Sequence, residues 1–92
     1  MNKTLIDKIA VVTGGAEGIG KGIAISLAKS GATLIIADLN EANAVSTNLE
    51  INKISPESIP MKVDVSNKNE IEQCVQNVVS KFGQIDILVN NA

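Results

Sequence analysis

The sequence predicts an α/β fold of the open, doubly wound kind, a parallel sheet covered by the helices that connect its strands. Three observations carry that reading. Short apolar runs rich in β-branched residues, "KIAVVT" at 8–13 and "TLIIAD" at 33–38, alternate with longer segments whose apolar residues recur at helical spacing. The segments between consecutive runs are long enough for right-handed helical crossovers. Four glycines fall within seven positions in "TGGAEGIG" (13–20), between the first run and the first helical segment.

The elements follow in order. "KIAVVT" has no polar alternation, as expected of a central strand buried on both faces. After the glycines, Ile19, Ile23, Ala24, Leu27 and Ala28 lie at helical spacing, and Gly31 supplies a C-terminal stop. "TLIIAD" is the second buried strand. Asn40 caps a second helix, with Val45 and Leu49 facing inward, that ends in the turn region around Pro56. "SIPMKVDV" at 58–65 is a weaker third strand. Asn67 and Glu70 have capping-box spacing, and Ile71, Val75, Val78, Val79 and Phe82 form one apolar stripe closed by Gly83. "DILVNNA" at 86–92 is the fourth strand. The expected order is 3-2-1-4, a Rossmann-like sheet that is incomplete.

Composition limits the function classes. With 92 residues, 45% of them hydrophobic, the chain is one domain at most and falls below the usual size of about 100–150 residues. A net charge of −2 with no Arg and no His argues against a nucleic-acid partner, which needs a basic face. "MNKTLIDK" lacks a signal-peptide core and no run approaches the roughly 18 apolar residues of a membrane span, so a cytoplasmic location and no membrane partner are expected. Cys74 is the only cysteine; without a second thiol or any imidazole, neither a disulfide nor a metal site is expected, and Cys74 reads as a small hydrophobe.

In doubly wound sheets ligands bind beyond the carboxyl ends of the strands, where the strand order reverses, and here that point is the glycine stretch. A helix N-terminus offers unpaired N–H groups and partial positive charge, which suits a pyrophosphate if no side chain holds it away. Gly14 would allow the turn, Gly18 a close ligand approach and Gly20 close packing of helix on strand. Taken alone, the glycines also admit a tight turn with no ligand, the lesser of the two readings. Asp38 ends strand two, 18 residues beyond Gly20, where it can accept from both ribose hydroxyls of an adenosine or simply cap the next helix. Asp64 and Val65 could flank the adenine, or Asp64 could be a turn residue. These features sit at the tips of three adjacent strands and converge on one crevice.

The pattern Gly14-x-x-x-Gly18-Ile19-Gly20, with Asp38, Asp64-Val65 and "NNA" at 90–92, resembles the N-terminal cofactor-binding half of the short-chain dehydrogenases/reductases over essentially the whole chain. The resemblance implies that residues 1–92 are the N-terminal part of a single NAD(P)-binding domain. It places Gly14, Glu17, Gly18, Ile19 and Gly20 along the diphosphate and adenosine ribose, Asp38 and Leu39 at the ribose and adenine, and Asp64 and Val65 beside the adenine ring. Asn90 and Ala92 would approach the nicotinamide-side ribose, with Asn91 bracing strand four. The implied activity is carbonyl/alcohol interconversion on a small molecule, for example a 3-oxoacyl, polyol or acetoin-like substrate, by a full-length parent that is a homo-oligomer. Members of the family continue "NNA" with glycine and run on through a half that carries a Ser and a Tyr-x-x-x-Lys pair. This sequence has no Tyr and ends at Ala92, so no catalytic residue is assigned in it, and the chain by itself is expected to be an inactive fragment. The carboxylates of Asp38 and Glu17 favour NAD over NADP, whose 2′-phosphate carries about −1.5 to −2 charges. Family members that favour NADP commonly carry a basic residue at the position of Glu17 or just after that of Asp38, where this chain has Leu39.

Three rival readings share parts of the pattern. Gly15 to Lys21 spell a near P-loop, but Gly22 stands where Ser or Thr should bind Mg²⁺, and Lys21 reads as a solvated first-turn residue. An S-adenosylmethionine-dependent methyltransferase would usually carry an acid just before the glycines, where Thr13 stands. A non-catalytic dinucleotide-binding module stays open for this chain.

Overall fold

The apolar runs form one parallel sheet in the computed structural model, which describes residues 4–91. The strands are β1 (Ile9–Thr13), β2 (Thr33–Asp38), β3 (Ile59–Lys62) and β4 (Ile87–Asn90), alternating with α1 (Gly18–Lys29), α2 (Glu41–Asn52) and α3 (Lys68–Phe82). Their order is β3-β2-β1-β4, as the sequence predicts. β1 pairs with β2 from Ile9↔Thr33 to Thr13↔Ala37, and with β4 from Ala10↔Ile87 to Thr13↔Asn90. The carboxyl ends of all the strands therefore share one edge of the sheet.

Both central strands are buried on both faces, which explains their unbroken apolar runs. Ala10, Val12, Leu34 and Ile36 pack with Ala24 and Ala28 of α1 and Ala44 and Ile51 of α2. Ile9, Val11, Ile35 and Ala37 point the other way, onto Cys74 and Val78 of α3. Two crossovers run in one direction on one face; the third returns across the sheet on the other. That reversal makes the winding double.

Several boundaries and faces depart from the sequence reading. β3 spans only 59–62 rather than 58–65; Pro60 has no N–H to donate, and this short strand sits at the sheet edge. Asp64 and Val65 therefore lie in the loop beyond it. β1 and β4 are likewise shorter than 8–13 and 86–92. In α2, Val45 and Leu49 are exposed, and the inward stripe is Ala44, Thr47, Asn48 and Ile51. Two of those four inward residues are polar and pay for burial with hydrogen bonds: Thr47 Oγ1 donates to Ala16 O at 2.7 Å and Asn48 Nδ2 to Ser58 O at 3.1 Å. A purely apolar pattern could not reveal that face. In α3, Cys74 and Val78 are buried, whereas Ile71, Val75 and Val79 are 40–43% exposed, and Ile71 and Val75 line an apolar hollow with Leu88 of β4.

The ends of the helices follow the sequence signals. Asn40 Oδ1 accepts from Asn43 N at 3.0 Å, and Asn67 Oδ1 accepts from Glu70 N at 3.2 Å. Glu70 completes the second cap differently from a capping box, since its Oε1 accepts from Asp64 N at 3.1 Å. Gly83, left-handed at φ 85°, closes α3 by donating to Val79 O at 2.7 Å.

A bare helix terminus between two acidic loops

The glycine stretch turns from β1 into α1 through two left-handed residues, Gly14 at φ 63° and Gly18 at φ 58°. Gly20 is required by packing: a Cβ there would lie 2.6 Å from Asn91 Nδ2 and would collide with the carbonyl oxygen of Gly14. Gly18 differs, because a Cβ on it would meet nothing within 4 Å. The backbone at Gly18 faces open space.

The start of α1 is unlike the starts of α2 and α3. Its N-cap, Glu17, makes no side-chain cap hydrogen bond, and its first turn holds no acid. The other two helices are capped by Asn40 and Asn67 and carry Glu41 and Glu70 in their first turns. The first N–H groups of α1 and its positive dipole end are thus left for something other than this side chain.

Asp38, at the tip of β2, reaches across to the glycine loop. Its Oδ2 accepts from Ala16 N at 3.2 Å and its Oδ1 from Asn40 N at 2.9 Å. One carboxylate thus joins the loops after β1 and β2, and a carboxylate has further lone pairs to offer a ligand. Glu17 faces the first turn of α2, with Oε1 accepting from Asn43 Nδ2 at 2.6 Å. Leu39 and Ile19 are exposed, at 62% and 77%. Ile19 thus stands outside the core stripe that its spacing suggests. Lys21 is not merely solvated: its Nζ pairs with Glu50 at 2.8 Å, tying α1 to α2. Ala16, Glu17, Lys21, Asn43, Ser46, Thr47 and Glu50 line an open polar cavity of about 220 Å³.

In the loop beyond β3, on the far side of β2, Asp64 folds into a local turn, its Oδ1 accepting from the N of Ser66 at 2.9 Å and from its Oγ at 2.6 Å. Those bonds hold its carboxyl below the ordinary aspartate value. The turn role raised by the sequence is the one its contacts display. Val65 lines a second cavity, of about 240 Å³, with Thr13, Ile71, Leu88 and Asn90. Ala92 lies outside the described residues.

Thr13 is the residue that sequence reasoning passed over. Its Oγ1 lies 3.2 Å from Val89 O and 3.3 Å from Asn90 Oδ1, and accepts from Asn91 N at 3.0 Å. Asn91 Nδ2 reaches back to Gly14 O at 3.5 Å, the bracing role expected of it. A hydroxyl on the last residue of a strand, directly before the glycines, was the available signal. Cys74 is buried, and burial pushes its thiol pKa up, which suits packing and not nucleophilic chemistry. Among the described residues no group of three or more His, Cys, Asp or Glu could hold a metal ion.

Comparison with known proteins agrees with this geometry. A family model described as short chain dehydrogenase matches residues 8–92. The diacetyl reductase [(S)-acetoin forming] of Staphylococcus epidermidis is 44% identical over 87 residues, covering 95% of this chain and 34% of that protein. The 3beta-hydroxysteroid dehydrogenase 2 of Eggerthella lenta is 43% identical over 91 residues, covering 99% and 35%. The crystal structure of a hydroxysteroid dehydrogenase from Escherichia coli superposes with a TM-score of 0.91 at 36% identity, covering 98% of this chain and 37% of that one. The chain spans about a third of the length of the curated relatives it matches.

Proposed function

The chain belongs to the short-chain dehydrogenase family, and from that premise we propose that it is the dinucleotide-binding part of an NAD-dependent oxidoreductase that interconverts a carbonyl and an alcohol. The observation that carries the reading is the contrast between the bare start of α1, with open space over Gly18, and the capped starts of α2 and α3. A diphosphate fits there: the N–H groups are available, no side chain stands over Gly18, and no acid of the first turn repels it. The bound nicotinamide would accept or donate a hydride.

In this reading Gly14, Glu17, Gly18, Ile19 and Gly20 border the diphosphate and adenosine ribose. Asp38, already fixed by two backbone N–H groups, accepts from the ribose hydroxyls, and Leu39 covers one side of the adenine. Val65 borders the ring from the β3 side, with Asp64 holding its loop by the bonds to Ser66. Asn90, aligned by Thr13, and Ala92 belong to the nicotinamide side. Asp38 and Glu17 set a preference for NAD, since a 2′-phosphate would have to enter beside two carboxylates.

Relatives named as a diacetyl reductase, a 3-oxoacyl-[acyl-carrier-protein] reductase and a hydroxysteroid dehydrogenase support carbonyl/alcohol chemistry as the shared substrate class. We place the protein in the cytoplasm and its full-length form in a homo-oligomer; no described helix is long and apolar enough to cross a membrane. Calorimetric titration of the chain with NADH, NADPH, ATP plus Mg²⁺ and S-adenosylmethionine tests the reading. NADH binding more than tenfold tighter than NADPH is expected. Binding of ATP or S-adenosylmethionine without NADH would overturn it.

A further inference from the structure

We infer that Asn43 is a positioning residue for cofactor selection: by holding the Glu17 carboxylate, it sets how strongly the crevice rejects a 2′-phosphorylated dinucleotide. The inference rests on the reading of the crevice as a dinucleotide site.

Glu17 is extended, at φ −144° and ψ 162°, and its side chain does not fold back onto its own helix. Asn43 Nδ2 instead donates to Glu17 Oε1 at 2.6 Å, a short bond to an ionised acceptor. Asn43 is itself fixed, because its N donates to Asn40 Oδ1, while Asn40 N donates to Asp38 Oδ1. Asp38 Oδ2 closes the circuit by accepting from Ala16 N, next to Glu17. The circuit surrounds the gap between the loops after β1 and β2 and sets one carboxylate in each loop.

Two further contacts make α2 a firm support for that amide: Thr47 Oγ1 donates to Ala16 O, and Lys21 pairs with Glu50. The pair also occupies the one lysine that lines this cavity, leaving Glu17 its charge. A neutral amide orients the carboxylate without cancelling it, as a lysine or arginine at position 43 would. Released from Asn43, the exposed Glu17 side chain spreads its charge over several rotamers in water, where screening weakens it.

The test is a double-mutant cycle on the full chain, with NADH and NADPH affinities read from the fluorescence of the reduced nicotinamide. Asn43→Ala and Asn43→Leu, both compatible with a helix, are expected to lower the NADH:NADPH affinity ratio about three- to fivefold, the range for a solvent-screened charge. NADH affinity alone should change less than about twofold on that same scale. In a Glu17→Gln background the same substitutions should leave the ratio where it is. Taking the ratio within one preparation cancels any change in folded fraction, which a purely structural role would affect. An unchanged ratio in both single variants, or an effect that persists in Glu17→Gln, overturns the inference while leaving the cofactor site standing. An unmutated chain that binds neither nucleotide overturns the site reading and this inference with it.

Discussion

The side-chain amide of Asn91 stands where a side chain on Gly20 would have to go, with Nδ2 2.6 Å from the position of such a Cβ. The carbonyl of Gly14 blocks the same space, and Asn91 Nδ2 donates to it, so the first turn of α1, the glycine loop and the end of β4 form one contact. The spacing of these glycines is thus set by protein packing as well as by any ligand.

Gly20→Ala is accordingly expected to cost about 1–3 kcal/mol, the range for overpacking a closed site, and to weaken dinucleotide binding by shifting the loop. Gly22→Ala is the contrast. Its Cβ would meet nothing within 4 Å, and as an ordinary helix-interior position it should gain about 0.5–1 kcal/mol. Urea unfolding of the two variants beside the parent should rank G22A above the parent and G20A below it. The reverse order would show that the loop can yield at Gly14.

Replacing the acidic pair should reverse cofactor choice. Asp38→Asn removes one charge but keeps an oxygen for a backbone N–H of Ala16 or Asn40, whereas Asp38→Ala would release both. Combined with Glu17→Arg, it should move the NADPH:NADH affinity ratio more than about tenfold toward NADPH. Titration of both nucleotides against the double variant measures this; a ratio within about twofold of the parent would remove the two carboxylates from the selection, since two altered charges worth up to about 1 kcal/mol each should together exceed it.

Acid should loosen the junction between β1 and β4. Asp86 Oδ2 accepts from Ile9 N at 2.8 Å and from Gln84 Nε2 at 2.7 Å, and chiefly the Ile9 bond holds its carboxyl below the ordinary value of 3.8. A carboxyl depressed in the folded state contributes stability that is fully present above its unfolded value and is lost as pH falls through the folded one. Thermal midpoints should therefore stay level down to about pH 4 and decline below it. Asp86→Asn should lower the midpoint at neutral pH and make the acid decline shallower, with Asp64 and Glu50, also depressed, supplying the remaining slope. An identical decline in the variant would remove Asp86 from the explanation.

The fold was legible because β1 and β2 are buried on both faces and so read as unbroken apolar runs, and because Asn40, Asn67 and Gly83 mark helix ends through local hydrogen bonds. Local signals failed where the partner is distant in sequence. Thr47 and Asn48 face inward because their hydrogen-bond partners, Ala16 and Ser58, come from other elements. The candidate site was readable in the sequence as residue types, the glycines and Asp38 at the end of β2, but its wiring was not. Nothing along the chain says that Glu17 meets Asn43, or that Thr13 meets Asn91, across separations of 26 and 78 residues.

The final prediction concerns residues 1–92 in isolation. Among the described residues β4 pairs with β1 along one side and with no strand along the other, and its own Leu88, 65% exposed, stands beside the part-exposed Ile71 and Val75 of α3. An unpaired strand edge beside an apolar strip invites association with another chain. The isolated chain should therefore show an apparent mass that rises with concentration in sedimentation, and Leu88→Lys with Val75→Lys should suppress that rise by placing charge on the strip. The same preparation should not oxidise NADH against a panel of carbonyl compounds. It contains no tyrosine, the residue type to which the family resemblance assigns the proton transfer that must accompany the hydride. Bound NADH without turnover is the combination expected; a cooperative monomer that reduces a carbonyl would place the proton donor among residues given no such role here.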